Sequence, residues 1–356
     1  LLAYIQDNGN TVRLWGSLTA RNGSTSVRSE GVQMNIWNDG WANPKSMYQQ
    51  GYDLIDMNDG SVYIVPAAGY YADYLSRKSM YNYDPATRMG VPSGSEQTLG
   101  GAYAIWNDMV DQRANGLTEM EIYDRFDDAA PYYAAALWGK SGEVSFTTAQ
   151  QTSENVGEAP GVNAYDKVDS ETDEILSYDF EDGLSDKSAN EYDAENGKNA
   201  EVKDGELVLK GGESYISTPL DKVGPEKELS FDITLTQPAE PGQILFEAEK
   251  DEDHEAYSTH NIRIMEDGTL GFTREGYDYS FGYKLPVNQK MTLKIRTKNG
   301  STVLIADGKE YKATGSFTYE GDVKKTGITS STLSLPLTRI GSDTNAVHAI
   351  IDNVNL

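Results

Sequence analysis

The chain has 356 residues, with 56 Asp and Glu against 30 Lys and Arg, a formal net charge of −26 and no cysteine. At about 100–200 residues per domain this length predicts two or three domains, and a hydrophobic content of 38% excludes a disordered polymer. The negative charge repels phosphate backbones and anionic lipid, so nucleic acid and membrane surface are excluded as favoured partners, and no apolar run reaches the roughly 20 residues of a membrane helix. Without cysteine there are no disulfides, thiolate metal sites or cysteine nucleophiles. An acidic chain rich in Asn, Gly and Tyr fits an extracellular bacterial protein, secreted or attached to the cell wall. Leu1 is not an initiator methionine, and no charged-then-apolar leader opens the chain, so a mature or processed piece is expected.

All five tryptophans lie within the first 138 residues, and all three histidines lie after residue 250. Residues 150–174 between them are polar and acidic, which is linker composition. The boundary is placed near residue 165, giving domains of 1–165 and 166–356.

In the first domain, Thr11–Leu18 (TVRLWGSL) and Val32–Trp37 (VQMNIW) read as buried strands. Asn43-Pro44 then opens a short helix, with Asn as cap and Pro at the first position. Tyr52–Met57 (YDLIDM) is the next strand, followed by a Tyr-rich helical stretch around Tyr70–Tyr83. Leu99–Trp106 (LGGAYAIW) is a fourth strand. Thr118-x-x-Glu121 is a capping box for a helix through Phe126; Pro131 restarts it and Gly139 stops it. Strands alternating with helices predict βα units around a parallel sheet. In the second domain, short alternating strands recur at Glu206–Leu209, Leu229–Thr236, Gln243–Ala248, Ile262–Met265, Met291–Thr297, Thr302–Ala306, Leu337–Ile340 and Ala349–Val354. Turns such as Asp267-Gly268, Asn299-Gly300 and Asp307-Gly308 separate them. That spacing predicts an all-β antiparallel sandwich.

The succession VQMNIWNDG, GYDLIDMNDGSVYIVP, LGGAYAIWND and RFDDAAPYYAAALWG, over about residues 10–140, resembles the second half of a family 20 glycoside hydrolase. These are β-N-acetylhexosaminidases and lacto-N-biosidases built on a (β/α)8 TIM barrel. The resemblance implies an α/β first domain supplying barrel strands five to eight, and a partner in the N-terminal half of the same barrel. The stretches SYDFEDGLSDKS, VKDGELVLKGGESYISTPL and AIIDNVNL resemble laminin-G or concanavalin-like lectin modules. Asp179, Asp182 and Asp352 are oxygen donors of the kind a structural Ca²⁺ takes, though solvated acids are the commoner reading in so acidic a chain. The Tyr-rich loop Glu275–Tyr283 is a candidate sugar platform. No cofactor is expected for catalysis, and the first domain has neither cysteine nor histidine for a metal.

Active sites of such barrels lie at the C-terminal ends of the strands. Trp15, Trp37, Tyr63 and Trp106 sit at or just after predicted strand ends, where aromatic faces stack on the C–H faces of a pyranose. The resemblance implies that Tyr63 holds a substrate acetamide oxygen, Trp106 floors the sugar and Asp108 binds its hydroxyls. The bland readings are barrel plugs for Trp15 and Trp37, loop packing for Trp41 and scaffold for Trp138. Asp56 and Asp59 are candidates to orient Tyr63, Asp39 to touch substrate, and Asp127-Asp128 to form solvated helix surface. Family members use the 2-acetamido group of the substrate as nucleophile, with an assisting Asp and an acid Glu. That pair is expected ahead of Leu1, so this chain alone is not expected to hydrolyse. The function implied is hydrolysis of β-linked N-acetylhexosaminides or lacto-N-biose termini of glycans. The rival is a non-catalytic carbohydrate-binding or adhesin fragment.

Overall fold

The computed structural model describes residues 1–17, 25–66, 68, 70–108, 119–139, 141–157, 168–249, 260–274, 277–298, 300–319, 323–328 and 331–356. They fall into two compact units, one of residues 1–110 and 125–160, the other of 111–124 and 161–356. Among the described residues no helix is long and apolar enough to cross a membrane.

The first unit runs through α1 (Leu2–Asp7), β1 (Val12–Trp15), β2 (Val32–Ile36), α2 (Pro44–Gln49), β3 (Asp53–Asp56), α3 (Asp59–Val62), β4 (Tyr63–Ile64), α4 (Arg77–Tyr81), α5 (Pro85–Met89), β5 (Thr98–Gly101) and β6 (Ala104–Ile105). It also holds most of α6 (Glu119–Leu137) and α7 (Phe146–Val156). A parallel sheet of order β1-β2-β3-β5 forms its centre, and β4 pairs with β6 in a separate parallel pair. Val32, Met34, Asn35 and Ile36 are all buried, as befits a parallel strand covered on both faces. Met47 of α2 and Met89 of α5 close the core over Leu54 and Tyr52.

Local signals set the helix ends. Asn43 Oδ1 accepts from the Ser46 N–H at 3.0 Å and Pro44 takes the first helical position, satisfying an amide the helix cannot. Asp84 and Pro85 repeat the device on α5, and Gly90 ends it at φ +65°, a conformation that costs a side chain. These stops hold α2 to α5 to four to six residues each.

The half-barrel is therefore not what forms. A (β/α)8 barrel wraps its strands in a ring of crossover helices, whereas the strands here have four or five residues and α2, between β2 and β3, has only six. The expected helix over Tyr70–Tyr83 shrinks to Arg77–Tyr81. The chain is mainly β, and most of that β structure is antiparallel. The second half of the chain's helical content also differs. Pro131 interrupts nothing, because α6 continues through it; the hydrogen bond lost at a proline is offset by burial of Ala129, Tyr132 and Tyr133 around it. The start of the expected linker is helix α7, capped by the Ser145 hydroxyl on the Thr148 N–H. The boundary near residue 165 and Thr118 of the capping box lie outside the described residues.

The second unit is built on a 15-stranded sheet. Its central strand, Arg339–Asn355, merges the two strands expected at Leu337–Ile340 and Ala349–Val354. It pairs antiparallel with Glu206–Ser217, Lys227–Leu235 and Ile244–Glu247. Lys227–Leu235 alternates strictly, with Leu229, Phe231, Ile233 and Leu235 buried, the period-2 pattern of a strand with one face on a core. Asp204-Gly205 and Asp307-Gly308, all at positive φ, make the tight turns whose twist suits hairpins.

The expected sandwich of separate layers is also corrected. Hydrogen bonding is continuous from Lys309–Lys312 across the central strand to Val323–Ile328. The register shifts at Gly212/Ser214, Ser230/Asp232 and Ile244/Phe246, like bulges, which bend and twist a sheet, let one strand serve successive partners.

A polar knot fixes the start of this unit. Asp186 accepts from the N–H groups of Ser177, Ser188 and Tyr192 at 2.8–2.9 Å, and from the Ser188 hydroxyl. Burial works against its ionisation, but these donors hold the carboxyl below its usual range. A depressed value contributes stability above the unfolded carboxylate pKa, lost as pH falls through the folded one. Asp186→Ala is expected to lower the stability of the second unit by about 1.5–3 kcal/mol at neutral pH. The loss should shrink below pH 4, as read from urea midpoints across pH; a loss constant down to pH 2 would refute the assignment.

Candidate functional site

In the first unit, strand ends bring aromatic rings together. Trp15 ends β1, Trp37 follows β2, Tyr63 opens β4 and Trp106 follows β6. The Trp106 N–H donates to Ile64 O at 2.9 Å, and the Asp59 N–H to Trp37 O at 2.7 Å, so backbone bonds set where these side chains emerge. The ring centroids of Trp15 and Trp106 are 6.1 Å apart at 63°, and those of Tyr63 and Trp106 are 5.6 Å apart. Tyr71 continues the series at 5.9 Å from Tyr63, and Tyr70 lies 5.0 Å from Tyr71. Trp37 packs beside the buried Tyr63 and stacks on Trp41 at 5.9 Å and 28°. All four sequence-chosen aromatics thus join one surface. Trp15 remains 47% exposed, Trp106 37% and Trp41 36%, so large rings face solvent where a core would have covered them.

Gly16 allows the close approach of β1 to the turn after β2. A Cβ there would lie 2.5 Å from the Ala42 Cβ and 3.0 Å from Asn35 O.

Polar groups border the rings. Asp59 accepts from Asn38 Nδ2 at 2.9 Å, from the Gly60 N–H at 2.8 Å and from the Tyr71 hydroxyl at 3.3 Å. Burial pushes the Tyr63 hydroxyl up to about 12, aided by the charge of Asp59 and by Tyr71, while the Trp106 indole N–H pulls the other way. Tyr63 therefore keeps its proton at every physiological pH and can donate it. Tyr71 is raised by burial and then by Asp59. Asp108 is exposed, and its charge reaches Tyr71, so it sits beside the rings.

Other candidates fall elsewhere. Asp56 is fully buried and gripped by Arg88, with Nη2 at 2.6 Å and Nε at 3.1 Å, and it receives the Tyr83 hydroxyl at 2.8 Å. It anchors the sheet and does not orient Tyr63. Asp39 pairs with Arg88 Nη1 at 2.7 Å. Asp128 is no solvated surface acid, since Arg77 bonds it at 2.5 and 2.8 Å. Trp41 belongs to the aromatic surface, and Trp138, 83% exposed, is not packed scaffold. Tyr71 and Asn38 were missed. Tyr71 falls in the stretch whose sequence reads as helix but which is helical only over Arg77–Tyr81, whereas Asn38 follows directly on Trp37 in sequence.

In the second unit the Ca²⁺ candidates do not converge. Asp179 accepts from the Glu181 N–H, Asp182 pairs with Lys187, and Asp352 pairs with Lys290 at 3.0 Å. The Lys290 ammonium also lies 3.3 Å from Glu206 and 3.5 Å from Asp232, taking the place a cation would need. Among the described residues no group of three or more acidic or histidine side chains could hold a metal. In the Tyr-rich loop, residues 275 and 276 lie outside the described residues, and Tyr277 and Tyr279 are buried in the core. They cannot serve as a platform.

No family model matches this chain, and no curated protein matches it. Among solved structures it is similar to domain 4 of AbnA, a GH43 extracellular arabinanase from Geobacillus stearothermophilus, solved with arabinotriose (20% identity, 51% of this chain, 90% of that one, TM-score 0.36). It is also similar to Trypanosoma rangeli sialidase solved with sialic acid (13% identity, 51% and 29%, TM-score 0.32). A putative glycosyl hydrolase from Parabacteroides distasonis aligns at 13% identity over 44% and 82%, with a TM-score of 0.28. Scores below 0.5 carry no argument about activity. The resemblance to family 20 is overturned: no family model matches the chain, and no half-barrel forms among the described residues, which are mainly β.

Proposed function

We propose that the first unit carries a carbohydrate-recognition surface, with Trp15, Trp106 and the Trp37–Trp41 pair as stacking faces. The observation that carries this is the run of ring contacts from Trp15 through Trp106 and Tyr63 to Tyr71, with its tryptophans exposed. A pyranose presents apolar C–H faces to such rings and a rim of hydroxyls to carboxylates and amides. Asp59, Asn38 and Asp108 would supply that rim, and the protonated Tyr63 hydroxyl would donate to a sugar acceptor. Within this reading the ligand is an N-acetylhexosamine or lacto-N-biose terminus, whose acetamide oxygen is such an acceptor. Glycans of this kind are met outside the cell, so an extracellular setting belongs to the same proposal. Stacking and hydrogen bonding are what these side chains can do, which favours binding over hydrolysis by this chain alone.

The test is titration calorimetry of the 356-residue chain with N-acetylglucosamine, lacto-N-biose and, as an unrelated sugar, arabinotriose. Saturable heat with either of the first two supports the reading, and none with any sugar up to 10 mM would refute it. Tyr63→Phe is expected to weaken binding by about 0.5–1.5 kcal/mol, the value of one hydrogen bond. Unchanged affinity would remove the hydroxyl from the contact.

A further inference from the structure

We propose that Arg88 is a positioning residue that holds the turn carrying Trp37 and Trp41 in its binding arrangement, through Asp39. This rests on the carbohydrate reading above. Arg88 sits on α5 (Pro85–Met89), remote from Trp41 in sequence. Its guanidinium is fixed first by the sheet. Nη2 and Nε grip the two oxygens of Asp56 at 2.6 and 3.1 Å at the end of β3, where the Asp56 side chain is fully buried. The remaining arm, Nη1, points outward and meets Asp39 Oδ1 at 2.7 Å.

An exposed ion pair ordinarily contributes little, because two flexible side chains must be ordered to make it. Here one side is already ordered. Arg88 is 16% exposed and held by two other bonds, while Asp39 is 49% exposed and sits at the tip of the turn. The planar fork of arginine presents its donors in a fixed geometry, so a grip on Asp56 determines where the third donor lies.

That turn is short and is also closed by local bonds. The Trp41 and Ala42 N–H groups donate to Asn38 O at 3.1 and 3.0 Å, and the Gly40 N–H donates to Asn38 Oδ1 at 3.0 Å. Asn38 Nδ2 reaches across to Asp59. Two adjacent residues of the turn are thus held from outside it, Asn38 by Asp59, beside Tyr71, and Asp39 by Arg88. Trp41 lies between Asp39 and the cap of α2, where its ring stacks on Trp37.

The experiment compares the full chain with Asp39→Ala, Asp39→Glu and Arg88→Met, by amide hydrogen exchange and by calorimetry with lacto-N-biose and N-acetylglucosamine. Asp39→Ala leaves the Arg88–Asp56 pair intact, so it folds even if Arg88→Met does not. In Asp39→Ala, exchange at Trp41 and Ala42 should rise about two- to fivefold, with the β2 amides unchanged and sugar affinity falling by a similar factor. Asp39→Glu should restore most of both. Unaltered exchange in Asp39→Ala overturns the tether. Faster exchange with unaltered affinity overturns its role in positioning. If the parent chain binds neither sugar, the carbohydrate reading falls, and exchange alone then decides whether Arg88 holds the turn.

Discussion

Arg274→Met is expected to destabilise the second unit by about 3–5 kcal/mol, the cost of removing one member of a buried ionic group. Arg274 is fully buried. It donates to Asp124 Oδ2 at 3.0 Å and to Thr332 O at 2.6 Å, and its Nε lies 3.6 Å from Glu121 Oε1. Asp124 also accepts from the Thr332 hydroxyl at 3.0 Å. His260 completes the group: the Ser334 N–H donates to its Nδ1 and its Nε2 lies 2.8 Å from Glu121 Oε1. An acceptor at Nδ1 places the proton on Nε2, so a neutral imidazole donates to Glu121.

Methionine fills much of the volume of arginine but removes the charge facing two buried carboxylates. Urea unfolding followed by far-UV circular dichroism measures the loss, with tryptophan fluorescence reporting the first unit separately. A change under about 1 kcal/mol would mean the network is held by its neighbours, without need of the guanidinium. Adding Asp124→Asn to Arg274→Met should recover part of the loss, because a neutral amide tolerates burial better than an unpaired carboxylate.

Trp106→Ala is expected to weaken sugar binding by about 2 kcal/mol or more, roughly 30-fold, the range of a central aromatic anchor. Trp106 touches both Trp15 and Tyr63, so truncation opens the middle of the surface. Trp106→Phe should retain part of the affinity, since a smaller ring still stacks. Trp138→Ala serves as the control, because Trp138 is exposed and contributes no ring to the surface. Calorimetry reads all three. Equal affinity in Trp106→Ala, with the fold intact, would return Trp106 to the scaffold.

What the sequence could tell depends on the range of the interaction. Caps and tight turns were legible because their chemistry closes within a few residues: Asn43-Pro44 at α2 and Asp307-Gly308 in a hairpin. The inward faces of Lys227–Leu235 and Met291–Lys298 were legible for a similar reason, since alternation along a strand follows from the pleat. Trp15, Trp37 and Trp106 gather because each ends or follows a strand, as the sequence suggests, whereas Tyr63 opens β4 directly after α3. The scaffold inferred around them was not what formed, because helix stops such as Gly90 shorten the crossovers that a barrel needs.

The amino-acid sequence by itself determined part of the local grammar: the cap that starts α2, the tight turns, and which strand faces turn inward. Tertiary structure alone decided the partners of the charges. Asp128 meets Arg77 across 51 positions and Asp124 meets Arg274 across 150, and an acidic residue reads the same in sequence whether solvated or clamped. It also decided that fifteen strands of the second unit join one continuous sheet, because bulges and long-range register depend on which surfaces meet, and no local pattern encodes that meeting.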